Sequence, residues 1–141
     1  MLQIKRLRPE DFVLGQHCQQ AFGHQKQSPE RVFSVLSNPT NLWWVALQEE
    51  QVVGVLYGHW LDQWHSSTRE FFVYDLEVHE DFHRQGIGTA LLQAALDEAQ
   101  KEENVSFVIT NHSNVPAVAL YEKLGGKREE GDELMLTFGE E

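Results

Sequence analysis

Residues 73–100 read VYDLEVHEDFHRQGIGTALLQAALDEAQ, and their order decides the fold. An apolar run ends at Val78. A charged patch follows, then Gln85-Gly86-Ile87-Gly88, and then apolar residues at helical spacing: Ile87, Ala90, Leu91, Ala94 and Ala95. This is a strand, a glycine turn and a helix start with almost no linker between them. A helix N-terminus carries unpaired N–H groups and a partial positive charge. Glycines there let an anion reach the main chain with no Cβ in the way. The arrangement predicts a phosphate-binding corner. It is neither the dinucleotide fingerprint, whose third glycine is missing at its spacing, nor a P-loop, since no Gly-Lys-Ser/Thr occurs. Taken alone, a glycine pair is better explained as a tight turn.

The flanking sequence predicts one mixed α/β domain over residues 1–141. Residues 2–7 alternate as an edge strand. Pro9-Glu10-Asp11 starts a helix that runs to Phe22 and stops at Gly23. Ser28-Pro29-Glu30-Arg31 starts a second, ending before Asn38-Pro39. Residues 42–48 and 52–60 form a hairpin, and Gly54 and Gly58 in its second strand predict a bulge or close backbone approach. A polar loop containing Asp62 and Trp64 leads to the most apolar strand, residues 71–78, expected at the centre of the sheet. A helix over 86–101, a strand over 105–110, a short helix over 116–124 and a last hairpin over 127–138 complete the order β-α-α-β-β-β-α-β-α-β-β.

The formal charge is −11, from 11 basic and 22 acidic residues. Nucleic acid and anionic membranes both need positive surface, so neither is expected as a partner. A cationic small molecule suits the field. No apolar stretch approaches a membrane span, no secretory leader is apparent, and the single cysteine, Cys18, fits a reducing cytoplasm. His79, His83 and His112 show no metal-ligand spacing with Cys18, so no metal is expected. A homodimer is expected, and Trp43 and Trp44 read as core or dimer contacts.

Two motifs carry a resemblance. His83-Arg84-Gln85-Gly86-Ile87-Gly88 resembles the Arg/Gln-x-x-Gly-x-Gly/Ala acetyl-coenzyme A motif of the GNAT superfamily of N-acetyltransferases, with His83 standing where that family usually has Arg or Gln. Asn114-Val115-Pro116-Ala117, continuing through Tyr121 to Gly125, resembles the family's Asn-x-x-Ala-x-x-x-Tyr-x-x-x-Gly block. Within the superfamily, residues 71–130 are most similar to the aminoglycoside 3-N-acetyltransferases. The resemblance implies a GNAT fold: a mostly antiparallel mixed sheet with a splayed central strand pair and about four helices. It implies acetyl-coenzyme A as cosubstrate, held by His83, Arg84, Gln85, Gly86, Ile87, Gly88 and Thr89 at the diphosphate. Leu76, Glu77 and Val78 would pair with the pantetheine arm, with Asn114, Ala117 and Tyr121 near the thioester. Tyr121 is the implied proton donor to the departing thiolate.

A carboxylate at Asp75, inside the apolar run from Phe71 to Leu76, is costly unless paired or at a cleft. Strand alternation puts it on one face with Glu77. Asp75 is therefore the expected base and amine anchor, and pairing with Arg69, Arg84 or a backbone amide is the competing reading. Tyr74, Glu129, Glu130, Asp62 and Trp64 are the further expected substrate contacts. The function expected is transfer of acetyl to the 3-amino group of an aminoglycoside in a ternary complex, without a covalent enzyme intermediate. The alternatives are a protein N-terminus, lysine or polyamine as acceptor, and a non-catalytic coenzyme A-binding module.

Overall fold

The computed structural model describes residues 1–102, 104–129 and 131–139. Five strands form one sheet in the order of the chain: β1 (Leu2–Arg6), β2 (Asn41–Gln48), β3 (Gln51–Asp62), β4 (Arg69–Val78) and β5 (Val105–Val108). The first four are antiparallel neighbours, and β5 runs parallel to β4. Helices α1 (Phe12–Ala21) and α2 (Pro29–Ser37) join β1 to β2, α3 (Ile87–Ala99) joins β4 to β5, and α4 (Val115–Lys123) follows β5.

Local signals set the helix ends. Ser28 accepts a hydrogen bond from the Arg31 N–H at 3.1 Å and Pro29 occupies the first turn of α2. Gly23, with φ +79, follows the end of α1 in the left-handed region that glycine tolerates. Asn114 caps α4 by accepting from the Ala117 N–H at 3.3 Å.

The alternation in β2 and β3 sorts side chains to two cores. Trp44, Ala46, Val53, Leu56, Phe71 and Val73 pack with Ile87, Leu91 and Ala95 of α3. Trp43, Val45, Val52 and Val55 pack with Cys18 and Val32 of α1 and α2. The tryptophan pair is thus split between the two faces, both buried. A Cβ at Gly54 would stand 2.9 Å from Leu91 Cδ1 and 3.0 Å from Ile87 Cγ2, so the bare backbone lets α3 sit close on the sheet. Gly58 lies beside a register shift in which Tyr57 faces Asp75 while Gly58 faces Val73, leaving Tyr74 as the extra residue of a β-bulge.

Two expectations are corrected. Strand β4 is not central but fourth of five. The last hairpin expected over 127–138 does not form among the described residues: 127–129 and 131–138 carry no strand, and Leu134, Met135, Leu136 and Phe138 are exposed. Alternation alone does not make a strand when its backbone groups find no neighbouring ladder.

Candidate active site

The site is built where β4 leaves β5. Pairing of these strands covers Glu70–Val73 of β4 and stops there. Past the bulged Tyr74, from Asp75 to Val78, β4 keeps its partner in β3 and has no ladder on the β5 side among the described residues. The backbone groups along this free edge are available to an extended ligand. The bulge at Tyr74 marks the start of the splay.

Beyond Val78 the chain makes a 3₁₀ turn over Glu80–Phe82 and then the corner that begins α3. Arg84 and Gly86 both lie in the left-handed region, with φ +66 and +77. A Cβ at Gly86 would meet nothing within 4 Å, so the corner is open on its outer side. The first helical hydrogen bond runs from the Ala90 N–H to the Gly86 carbonyl, which leaves the N–H groups of Ile87, Gly88 and Thr89 without helical partners. Arg84, Gln85 and Gly86 are exposed beside them. An electropositive cup of main-chain amides results, open to an anion of diphosphate size. The His83 ring does not face outward into it. Its Nε2 lies 2.8 Å from the Val78 carbonyl oxygen and, as an N–H donor, ties the corner to the end of β4.

Helix α4 closes the donor side. Gly88 and Leu120 are in close register, since a Cβ at Gly88 would sit 3.2 Å from Leu120 Cδ2. Tyr121 is half-buried against the α3-side core, and burial raises its hydroxyl above the usual tyrosine value. It holds its proton throughout the neutral range. Asn114 is engaged as the α4 cap through its side-chain oxygen, and Ala117 supplies the capped N–H.

On the opposite face of the sheet, between β3, β4 and the α1–α2 segment, lies a cavity of about 370 Å³. That is enough for one or two sugar rings or a few residues of peptide, at the small end of the range for ligand sites. Asp75 and Glu77 stand on its wall, both exposed, because cross-strand pairing puts them opposite Tyr57 and Val55. Among the described residues neither carboxylate is in an ion pair. Arg69, a candidate partner for Asp75, is spent elsewhere: its guanidinium pairs with Glu102 and lies 4.2 Å over the Trp60 ring. The rest of the wall includes Trp43, Tyr57, Cys18, Phe22 and Arg31. Trp43 and Tyr57 meet edge to face at 6.1 Å. Burial raises the Tyr57 hydroxyl, Arg31 opposes that rise and Asp75 adds to it.

Leu76 and Val78 alternate to the other face and pack with the α3-side core. One stretch of β4 therefore shows carboxylates to the cavity and its free edge toward the splay, and it runs on into the glycine corner.

Cys18 is close to this site in space although distant in sequence. Burial pushes its thiol up to about 12, against a lowering contact from Trp43 and with further raising by Glu77. A thiol that keeps its proton is a poor nucleophile. Among the described residues no group of three or more His, Cys, Asp or Glu could hold a metal ion, and no helix is long and apolar enough to cross a membrane.

Several expected substrate contacts are not brought to the cavity. Asp62 pairs with Arg69 at the far end of the β3–β4 hairpin. It lies five residues along β3 from Tyr57, or about 17 Å of strand. Trp64 lies beyond it, 96% exposed, with an edge contact to His65. Tyr74 points away, edge to face with Phe72 at 5.6 Å. Glu129 is exposed outside the cavity lining, and Glu130 lies outside the described residues. The residues that sequence reading missed are Tyr57, Trp43 and Arg31. Tyr57 was hidden in an apolar run, and its pairing with Asp75 depends on a bulge. Arg31 sits in the first turn of α2, where a charge reads as ordinary surface.

Comparison with known proteins agrees with this geometry. The model of the acetyltransferase (GNAT) family matches residues 3–126. An N-alpha-acetyltransferase of Saccharolobus solfataricus is 33% identical over 94 residues, covering 61% of this chain and 56% of that protein. The [ribosomal protein bS18]-alanine N-acetyltransferase of Escherichia coli K12 is 39% identical over 57 residues, covering 40% of this chain and 38% of that one. The matched stretch thus spans about half, or less, of these relatives. Among solved structures, an aminoglycoside acetyltransferase from an uncultured soil metagenomic sample, in complex with sisomicin, superposes with a TM-score of 0.85 at 24% identity, covering 98% of this chain and 97% of that one. A second from such a sample gives 0.80 at 26% identity over 99% of both chains. The splayed β4, the amide corner before α3 and a family match over most of the sequence lead to one conclusion: this chain belongs to the GNAT family of acetyltransferases.

Proposed function

We propose that this chain is an acetyl-coenzyme A-dependent N-acetyltransferase whose acceptor is an aminoglycoside, acetylated at its 3-amino group. The observation that carries the reading is the pair Asp75 and Glu77, in no ion pair among the described residues, on the wall of a ring-sized cavity and on the strand that leads into the amide corner. The two solved aminoglycoside acetyltransferases of similar fold support the same acceptor class.

The residues fit the cosubstrate. Amides of the 84–89 corner would hold its diphosphate, and the free edge of β4 at Leu76–Val78 would hold its pantetheine arm. When bound, it supplies an acyl thioester. Asp75 takes a proton from the acceptor ammonium, directly or through one water, and leaves a neutral amine. Glu77 holds a neighbouring cationic or hydroxyl group. The N–C bond forms as the C–S bond breaks; Tyr121, which burial keeps protonated, gives its proton to the departing sulfur and is reprotonated, through water, by the second proton that the new amide nitrogen sheds. No acyl group passes through the enzyme, in keeping with the raised Cys18 thiol.

A second reading, acetylation of a protein N-terminus, is favoured by the aromatic wall of Trp43, Tyr57 and Phe22 and by the similarity to an N-alpha-acetyltransferase and a [ribosomal protein bS18]-alanine N-acetyltransferase. Thiol release from acetyl-coenzyme A separates the readings. Sisomicin, spermidine and a peptide beginning with alanine are each offered at 1 mM or about that concentration. The proposal expects sisomicin to give the largest kcat/KM, with mass spectrometry locating the acetyl group on the 3-amino nitrogen. Faster release with the peptide would transfer the assignment to protein N-termini. No release with any amine would leave a coenzyme A-binding module.

A further inference from the structure

The cavity has two electrical poles. One is the pair Asp75 and Glu77 on β4. The other is Arg31, in the first turn of α2, exposed and lining the same cavity. The Ser28 cap spends the Arg31 backbone N–H and fixes the start of the helix, so the base of this side chain is anchored. Among the described residues Arg31 enters no ion pair, and its nitrogens stay beyond ion-pair distance of both carboxylates. Tyr57 lines the same cavity, and beside the dominant effect of burial Arg31 lowers its hydroxyl while Asp75 raises it. In a chain of net charge −11 that draws cations toward it, a fixed positive charge inside an amine-binding cavity works against the general field.

We propose that Arg31 is a specificity-determining residue that reads the group next to the reacting amine. An acceptor enters with its ammonium at Asp75 and Glu77 and must then present an oxygen, as hydroxyl or carboxylate, to the guanidinium. An acceptor that would place a second ammonium there is turned away. The acceptor class is therefore an amine carrying a nearby oxygen function, as in an amino sugar, and not a bare polyamine. This rests on the cavity being the acceptor site of the proposed transferase, and it adds which way round the acceptor lies. For an aminoglycoside, a ring hydroxyl rather than a second amino group faces α2. Arginine suits this role because its guanidinium always carries charge and offers several donors to oxygen.

The size of the effect follows from Coulomb's law. Two like charges about 8 Å apart, at an effective dielectric of about 40, repel enough for a roughly five- to sixfold change in affinity, and salt weakens this. The test compares wild type with Arg31→Gln and Arg31→Glu, two changes at an exposed position that leave both cores intact. Binding of glucosamine and of spermidine is measured by calorimetry on the coenzyme A-loaded protein, alongside thiol release with acetyl-coenzyme A. Arg31→Gln is expected to tighten spermidine about fivefold and to weaken glucosamine, with Arg31→Glu going further in both directions. The ratio of the two affinities should shrink toward wild type in 0.5 M salt, or about that level. Equal changes for both amines would show a general field effect and overturn the proposal, as would no change or no binding of either amine. Altered binding ratios without any acetylation would sink the transferase reading and leave this one standing. Acetylation with unaltered ratios would do the reverse.

Discussion

Replacing Tyr121 by Phe removes one oxygen and leaves the ring that packs on the α3-side core. Burial raises this hydroxyl above its ordinary value, and among the described residues it has no hydrogen bond. Loss of the hydroxyl should then cost less than about 1 kcal/mol of stability. As a general acid its effect on rate is much larger. Such groups contribute about 10²-fold or more, and a hundredfold loss is about 2.7 kcal/mol on the barrier. We expect kcat for Tyr121→Phe to fall about a hundredfold, with acetyl-coenzyme A affinity within about threefold of wild type. Steady-state thiol release gives the first quantity and calorimetry the second. The pH dependence is a further check. Burial sets the folded pKa above the unfolded 10.0, so the native state retains its proton longer than the unfolded chain. That contribution to stability is complete below the unfolded value and is lost as pH rises through the folded one. Wild type should therefore lose more thermal stability above pH 10 than Tyr121→Phe does. Equal turnover in the two proteins, with unchanged affinity, would remove Tyr121 as the acid.

Three shorter predictions concern the corner, the buried thiol and assembly. Gly86→Ala places a Cβ in open space but at φ +77, so differential scanning should show a loss of about 1 kcal/mol, while coenzyme A affinity falls at least tenfold; unchanged affinity would show that no ligand occupies that space. Cys18 should resist iodoacetamide at pH 8 in the folded protein and react after unfolding, since burial holds its thiol near 12; rapid native labelling would contradict that burial. We propose a homodimer, so sedimentation should give twice the chain mass of 16.3 kDa, with a single-chain mass as the opposing result.

Much of this fold is legible in the sequence because its signals are local. The Ser28-Pro29 start of α2, the Gly23 stop of α1 and the spacing of Ile87, Leu91 and Ala95 act within a turn or two of helix. Gly54 and Gly58 announce close approach because the lack of a side chain needs a reason. The site is less legible. Asp75 and Glu77 stand out as carboxylates in an apolar strand, but their neighbours are chosen by register. A single extra residue at Tyr74 decides that Tyr57 faces Asp75, and no local rule gives that pairing. Asp62 and Trp64 belong to a polar stretch close in sequence to β4, which is what makes them candidate substrate contacts. An antiparallel hairpin carries that loop to the other end of the sheet. Cys18 shows the converse, brought beside Glu77 by the packing of α1 on the sheet. The hairpin expected over 127–138 does not form among the described residues for a related reason: alternation assigns side chains to faces and does not supply the neighbouring ladder that a strand needs.

The central claim is that the main-chain amides of the 84–89 corner and the free edge of β4 hold the acyl donor next to Asp75. Titrating ¹⁵N-labelled protein with acetyl-coenzyme A and following each amide by NMR tests it most directly. The account predicts large shifts at Gln85 to Thr89 and along Leu76 to Val78, with small ones at Asp62 and Trp64. Saturating cosubstrate with no response at the corner, or with shifts confined to the β3–β4 loop, would contradict it.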